Sequence, residues 1–220
     1  YPSSKQCTLK NVTIQVHANT RAAIVGLNGA GKTTLIGLVS KQLKCEHGNY
    51  GSTADNTIRN RNLKVSVVSQ HHTERLTDFF NYSACKYLCH HFPTLSNTKA
   101  RSHLGHFGIC GNLALQPIQT LSGGQKARLT LAFATFKKPH ILILDEPTNH
   151  LDMESIDALA LGINSFNGAV LTVSHNQTFL KETCKELWCV ENRTVRVVQS
   201  TNGTKSEFAP ILESYVRTEM

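Results

Sequence analysis

Three groups of residues in this sequence are of types that handle phosphate. The first is Gly26, Leu27, Asn28, Gly29, Ala30, Gly31, Lys32 and Thr33, followed by Thr34. Glycines let the backbone wrap closely round a dense anion, so that successive N–H groups point inward. A helix beginning at Lys32 would present its positive N-terminus to the same anion. Every fixed position of the phosphate-binding loop pattern is filled, with an apolar run before it and a helical pattern after it. In such a loop Lys32 reaches the β and γ phosphates and the Thr33 hydroxyl coordinates Mg²⁺.

The second group closes the apolar run Ile141 to Leu144 with two carboxylates, Asp145 and Glu146. Where a phosphate-binding loop is present, the acid at such a strand end helps to hold Mg²⁺. The next acid, Glu146, is placed to polarise an attacking water. The third group is Leu121, Ser122, Gly123, Gly124 and Gln125, which opens the helical run Lys126 to Phe136. A helix start with small residues and a hydroxyl is again an anion site.

These groups need elements to hold them. Val12 to Val16 alternates as a strand should. Ala22 to Val25, Val65 to Ser69, Ile141 to Leu144 and Val170 to Val173 are short apolar runs that read as buried strands. Leu187 to Val190 and Val195 to Val198 read as a terminal hairpin. Helices are expected over Lys32 to Leu43, from about Glu154, near Gln177 to Lys185, and over Ser206 to Arg217. Between Thr73 and Leu115 strand signals give way to aromatics and histidines at helical spacing, which reads as a helical insertion. Strands alternating with helices predict an α/β fold with a mainly parallel sheet covered on both faces.

Leu121 to Gln125, lying about twenty residues before the paired acids, resembles the signature motif of ATP-binding cassette (ABC) ATPases. The resemblance implies a P-loop NTPase of ABC type, its parallel core joined by an antiparallel β subdomain and a helical one. It also accounts for two anion sites in one domain: the signature serves the γ-phosphate held by the loop of a facing cassette. Residue by residue, it implies that Gln70 touches Mg²⁺ and the attacking water. It makes Asp152 speak across the pair and His175 contact the γ-phosphate. Tyr1 is the candidate aromatic that stacks on adenine.

The run Asp145 to Asp152, with Asn149 and His150, resembles the ABC-F branch and, within it, the second cassette of eukaryotic general-control translation proteins. So do Ser69, Gln70, His71 and His72, and Glu186, Leu187 and Trp188. Two departures stand out: Asn176 where the family usually has Asp, and Leu27 where Glu is common in the branch. The implied whole is an ATP-driven switch with two cassettes and no membrane domain. It would be cytoplasmic and would act with the ribosome or a ribosome-associated translation regulator. The 220 residues would then be one cassette, with residues 73–115 as its helical subdomain, cut from a longer chain. The motor of a membrane transporter and an ATP-binding scaffold without turnover remain as alternatives.

Composition sets wider bounds. With 40% hydrophobic and 17% charged residues the chain reads as soluble and globular. No stretch reaches the 18 or so apolar residues of a membrane span. Seven cysteines, scattered and odd in number, fit reduced thiols better than a disulfide framework. Cys85, Cys89, His90 and His91 cluster, but no second half-site at metal spacing follows, so they read as helix residues. The net charge of +8 fits a solvated basic surface or a footprint on a polyanion such as RNA.

Overall fold

The structure is a computed structural model that describes residues 8–40, 42–43, 63–69, 75–149, 151–199 and 205–219. Six strands form one sheet in the order β2-β3-β4-β1-β5-β6: β1 Arg21–Val25, β2 Val65–Ser69, β3 Ile141–Asp145, β4 Ala169–Val173, β5 Glu186–Glu191 and β6 Thr194–Gln199. All neighbours run parallel except β5 and β6, the antiparallel hairpin at one edge. The α/β class and parallel core are those that the alternation of strands and helices predicts.

Side-chain alternation explains why both faces are covered. Ala22, Ile24, Ile141, Ile143, Leu171, Val173, Trp188 and Val190 point to one face, where Leu35 and Ile36 of helix α1 (Lys32–Val39) pack on them. Leu142, Leu144 and Val170 point to the other. That face is covered by helix α4 (Gly123–Thr135), helix α5 (Met153–Asn164) and Phe179 of helix α6 (Gln177–Thr183). β4 is buried along its whole length. Each fully buried Val, Leu or Ile contributes roughly 1.5–3 kcal/mol, so β3 and β4 anchor the domain.

A second core lies in the helical region, built on helices α2 (Ala84–His91) and α3 (Asn97–Gly105) with three short 3₁₀ turns. Helix α4 belongs to both cores. Leu129 and Ala132 face the helical core, and Leu131 and Ala134 face the sheet. A capping box starts it: Gln125 N–H donates to Ser122 Oγ, and Ser122 N–H donates to Gln125 Oε1. Cys85 and Cys89 do share one face of α2, and both thiols turn toward Asn97 at the start of α3. The last helix, α7 (Lys205–Glu219), buries Phe208 and Leu212 against α6 and β5. Lys181 of α6 bonds Glu213 of α7 at 2.5 Å.

Three expectations shift. Val12 to Val16 is extended and alternates in exposure, yet pairs in no ladder among the described residues. Its apolar side chains lie against the sheet, and Lys10 N–H donates to Arg193 O at the β5–β6 turn. Helix α1 stops at Val39, because the chain turns back and Leu43 N–H donates to Gly37 O. Helix α6 stops at Thr183, because Lys185 N–H is drawn into the ladder by Arg21 O.

Candidate functional site

β1, β2, β3 and β4 all end at one edge of the sheet. The register sets Ser69 beside Asp145, Asp145 beside Val173, and Ile24 beside Val173. In open parallel sheets ligands bind beyond the carboxyl ends of the strands. The loop Gly26–Thr34 follows β1 at that edge, Asp145 and Glu146 follow β3, and His175 follows β4.

The loop is shaped by close approach. Gly26 lies so near the Val190 carbonyl that a Cβ there would overlap it. Gly31 has φ 113°, in the left-handed region that favours glycine, and forms the N-cap of α1 without a side-chain cap. A helix start without a side-chain cap can offer its first-turn N–H groups to an anion. Lys32 Nζ folds back over the loop and donates to Gly26 O at 2.7 Å and Leu27 O at 3.2 Å. Burial lowers the Lys32 pKa, while Glu146 and Asp145 pull it up. The ammonium thus sits within the field of both carboxylates.

Glu146 has φ 51°, a left-handed backbone that costs on the order of 1–3 kcal/mol outside glycine. Its own N–H donates to Val173 O at 2.9 Å, which fixes it across the β3–β4 ends. Its carboxylate accepts from the His175 N–H at 3.4 Å and lies 3.5 Å from His175 Nε2. Burial raises the Glu146 pKa and His175 opposes the rise. A cavity of about 60 Å³ is lined by Gly26, Leu27, Lys32, Glu146 and His175 on one side and by Leu212, Tyr215 and Val216 of α7 on the other.

A second group is not part of the lining of this cavity. Ser122 caps α4 and Asp152 caps α5, where its carboxylate accepts from Ser155 N–H at 2.9 Å. The two caps are joined because Gly124 packs on Ser155, with no room for a Cβ. A larger cavity, about 340 Å³, runs between Gly123 and Glu146. Tyr1 and Gln70 lie outside the described residues, as do His71, His72 and His150.

One positioning pair gives no signal as a motif. Thr148 Oγ1 and Ser174 Oγ, both buried, share a hydrogen bond of 2.9 Å between the segments that carry Glu146 and His175. Ser174 Oγ also accepts from Asn176 N–H at 3.1 Å, and Asn176 caps α6 by accepting from Phe179 N–H at 2.9 Å. The amide of Asn176 makes the same cap that an Asp would make.

Residues 9–149 match the family model described as ABC transporter. The chain belongs to the ABC transporter family. Membership makes this cassette an ATPase domain by family. Mouse ATP-binding cassette sub-family F member 3 is 40% identical over 221 residues, which is 100% of the cassette and 29% of that protein. Protein GCN20 of Saccharomyces cerevisiae is 41% identical over 193 residues, or 88% of the cassette and 24% of that protein. ABC transporter F family member 3 of Arabidopsis thaliana is 38% identical over 205 residues, 93% of the cassette and 27% of that protein. The cassette thus spans under a third of the length of these curated relatives. The crystal structure of the ADP conformation of an ATP-binding cassette of an ABC transporter superposes with a TM-score of 0.73 at 18% identity, covering 94% of this chain and 89% of that one. That likeness concerns the fold. No helix among the described residues is long and apolar enough to cross a membrane.

Proposed function

We propose that this chain is one ATP-hydrolysing cassette of a longer two-cassette ABC-F protein, with residues 73–115 as its helical subdomain. Its cycle drives a conformational switch that acts, in the cytoplasm, on the ribosome or a ribosome-associated translation regulator. The observation that supports this best is the meeting of the Gly26–Thr34 loop, Glu146 and His175 at one sheet edge, with Glu146 and His175 3.5 Å apart.

The uncapped first turn of α1 and the loop N–H groups bind the phosphates, and Lys32 exchanges its loop carbonyls for phosphate oxygens. The hard oxygen donors of Thr33, Asp145 and Gln70 suit Mg²⁺. When bound, that ion supplies charge neutralisation at the phosphates. Glu146 accepts a hydrogen bond from the attacking water and so aligns it. His175 orients Glu146 and contacts the γ-phosphate. Tyr1 stacks on adenine. Ser122 to Gln125 and Asp152, set apart from Lys32, face the nucleotide of the second cassette. Hydrolysis then reopens the pair, and only a ligand that prefers one state shifts the equilibrium.

Two measurements test the reading. The isolated cassette binds MgATP and turns it over slowly, whereas brisk turnover independent of protein concentration removes the need for a facing cassette. The full-length protein co-sediments with ribosomes more strongly with a non-hydrolysable ATP analogue, and less strongly as salt rises. Sedimentation that ignores nucleotide removes the switch. None even at low salt favours a transporter motor or a scaffold.

A further inference from the structure

The sixty-six residues from Phe79 through Leu144 contain seven lysines and arginines and five histidines, but not one aspartate or glutamate. The chain as a whole has a net charge of +8, so nearly all of it is concentrated in the helical region and α4. Among the described residues none of these seven cations is in an ion pair. A positive field of this extent is left to an outside partner.

The structure adds aromatic rings to the charge. At the start of α2, Lys86 Nζ lies 4.4 Å above the Tyr82 ring. Tyr82 meets His90 at 5.6 Å, and His90 meets His91 at 5.2 Å. Beyond the end of α2, Phe92 stacks on Phe136 at 4.3 Å, with Lys137 Nζ 5.5 Å from the Phe92 ring. Phe133 closes the gap, 5.1 Å from His91 and 5.5 Å from Phe92. Lys86, His90, His91, Lys137 and Lys138 are exposed, and the Tyr82, Phe92 and Phe136 rings are half-buried. The result is one continuous strip of rings interleaved with exposed cations. It lies at the C-terminal end of α4, about 20 Å along the helix from the Ser122 cap.

We infer that this strip is a binding surface for single-stranded or looped RNA. Unstacked bases pack on aromatic and histidine rings while the flanking lysines neutralise the backbone phosphates. An anionic membrane fits less well. Exposed large apolar side chains among the described residues are Leu27, Leu115, Met153 and Leu161, and none lies on the strip to enter a bilayer. The inference deepens the ribosome reading, and rests on it only for which RNA is bound.

The test uses the full-length protein and an end-labelled, mixed-sequence single-stranded RNA of about 15 nucleotides, near the length one compact site covers. Anisotropy is read across a salt series. The wild type binds, and the triple variant Lys86→Gln, Lys137→Gln, Lys138→Gln binds at least about tenfold more weakly at low salt. Its log–log salt slope is shallower by about 2, at roughly 0.7 per lost phosphate contact on a single strand. Tyr82→Leu keeps the bulk but loses the ring, so it weakens binding several-fold without changing the slope. Both variants keep wild-type ATP turnover, which controls for folding. No RNA binding by the wild type, equal affinity in the triple variant, or binding of phosphatidylserine vesicles in place of RNA overturns the inference. If free-RNA binding and its loss in the variant persist while ribosome sedimentation fails, the ribosome reading falls and the strip stands. If nucleotide-dependent sedimentation persists while the triple variant binds RNA like wild type, the strip falls and the ribosome reading stands.

Discussion

Gly124 and Ser155 touch where the starts of α4 and α5 cross, and the contact leaves no space for a side chain on Gly124. Ser155 also donates its N–H to Asp152. The two caps that the reading turns toward a second cassette are therefore one mechanical unit. Gly124→Ala is expected to push α4 from α5 and to cut turnover of the full-length protein at least tenfold. Overpacking costs about 1–3 kcal/mol. Gly124→Ala with Ser155→Gly should recover most of the loss. A double-mutant cycle in turnover and thermal stability measures the coupling, and strict additivity would show that the contact does not matter.

Glu146→Gln keeps the shape of the side chain and loses the charge that aligns water. ATP binding should persist while hydrolysis falls by two or more orders of magnitude, as for other groups that position a nucleophile. Trapping of radiolabelled nucleotide on the full-length protein separates the two effects. Lys32→Ala should instead weaken binding itself, because the positive charge beside Asp145 and Glu146 is gone. Normal affinity in Lys32→Ala would place the phosphates elsewhere.

The pH profile follows from the surroundings of Glu146. Burial holds its pKa above that of an ordinary carboxylate, and His175 partly offsets this. The carboxylate must be ionised to accept a hydrogen bond from water, so turnover falls as pH drops through that raised value. His175→Ala removes the offset and lets the pKa climb further. The acid limb of its residual activity should therefore move to higher pH in a kcat profile taken from about pH 5 to 9. An unmoved or lowered limb would break the link between the two residues.

Thr148→Val leaves Ser174 with one partner fewer in a buried place. Ser174 Oγ still accepts from Asn176 N–H, so the loss is that of one net hydrogen bond, about 0.5–1.5 kcal/mol. Thr148→Val and Ser174→Ala should each lower the thermal midpoint, and together they should cost less than the sum. Turnover should fall in parallel, because the pair ties the segments bearing Glu146 and His175. Additive losses in a denaturation cycle would argue that the two hydroxyls act separately.

The parts of this fold that are legible in the sequence are those with dense local signals. Ile141 to Leu144 and Val170 to Val173 are continuous apolar runs, and in the structure they are the most buried strands. Val12 to Val16 shows the limit of alternation. The pattern reports a half-buried extended segment, and contact with the sheet satisfies it without a ladder. Within the site, the Gly26–Thr34 loop is readable because its chemistry is contiguous. Glu146 and His175 are 29 residues apart, so their meeting is implied by the family resemblance and not by spacing. Thr148 with Ser174, and Gly124 with Ser155, have no motif. They are small residues whose importance lies in what stands next to them. The acid-free stretch from Phe79 to Leu144 is visible in sequence, but only the ring contacts around the ends of α2 and α4 bring Lys86 and Lys137 onto one surface.

The place of β1 between β4 and β5 has a consequence for how the chain is made. β1 precedes the other described strands of this cassette, and its partners Val170 to Val173 and Glu186 to Cys189 come some 150 residues later. At ordinary elongation rates of about 5–20 residues per second, that is roughly 8–30 seconds of waiting with a bare apolar strand. Such distant pairing slows folding and exposes the nascent segment to aggregation. The phosphate-binding loop hangs from this same strand. It can take its final shape only once Val190 has arrived to meet Gly26. Competence to hold nucleotide is thus gained only after β5 has been made, and a chain stalled before β5 would carry the loop without the strand that shapes it.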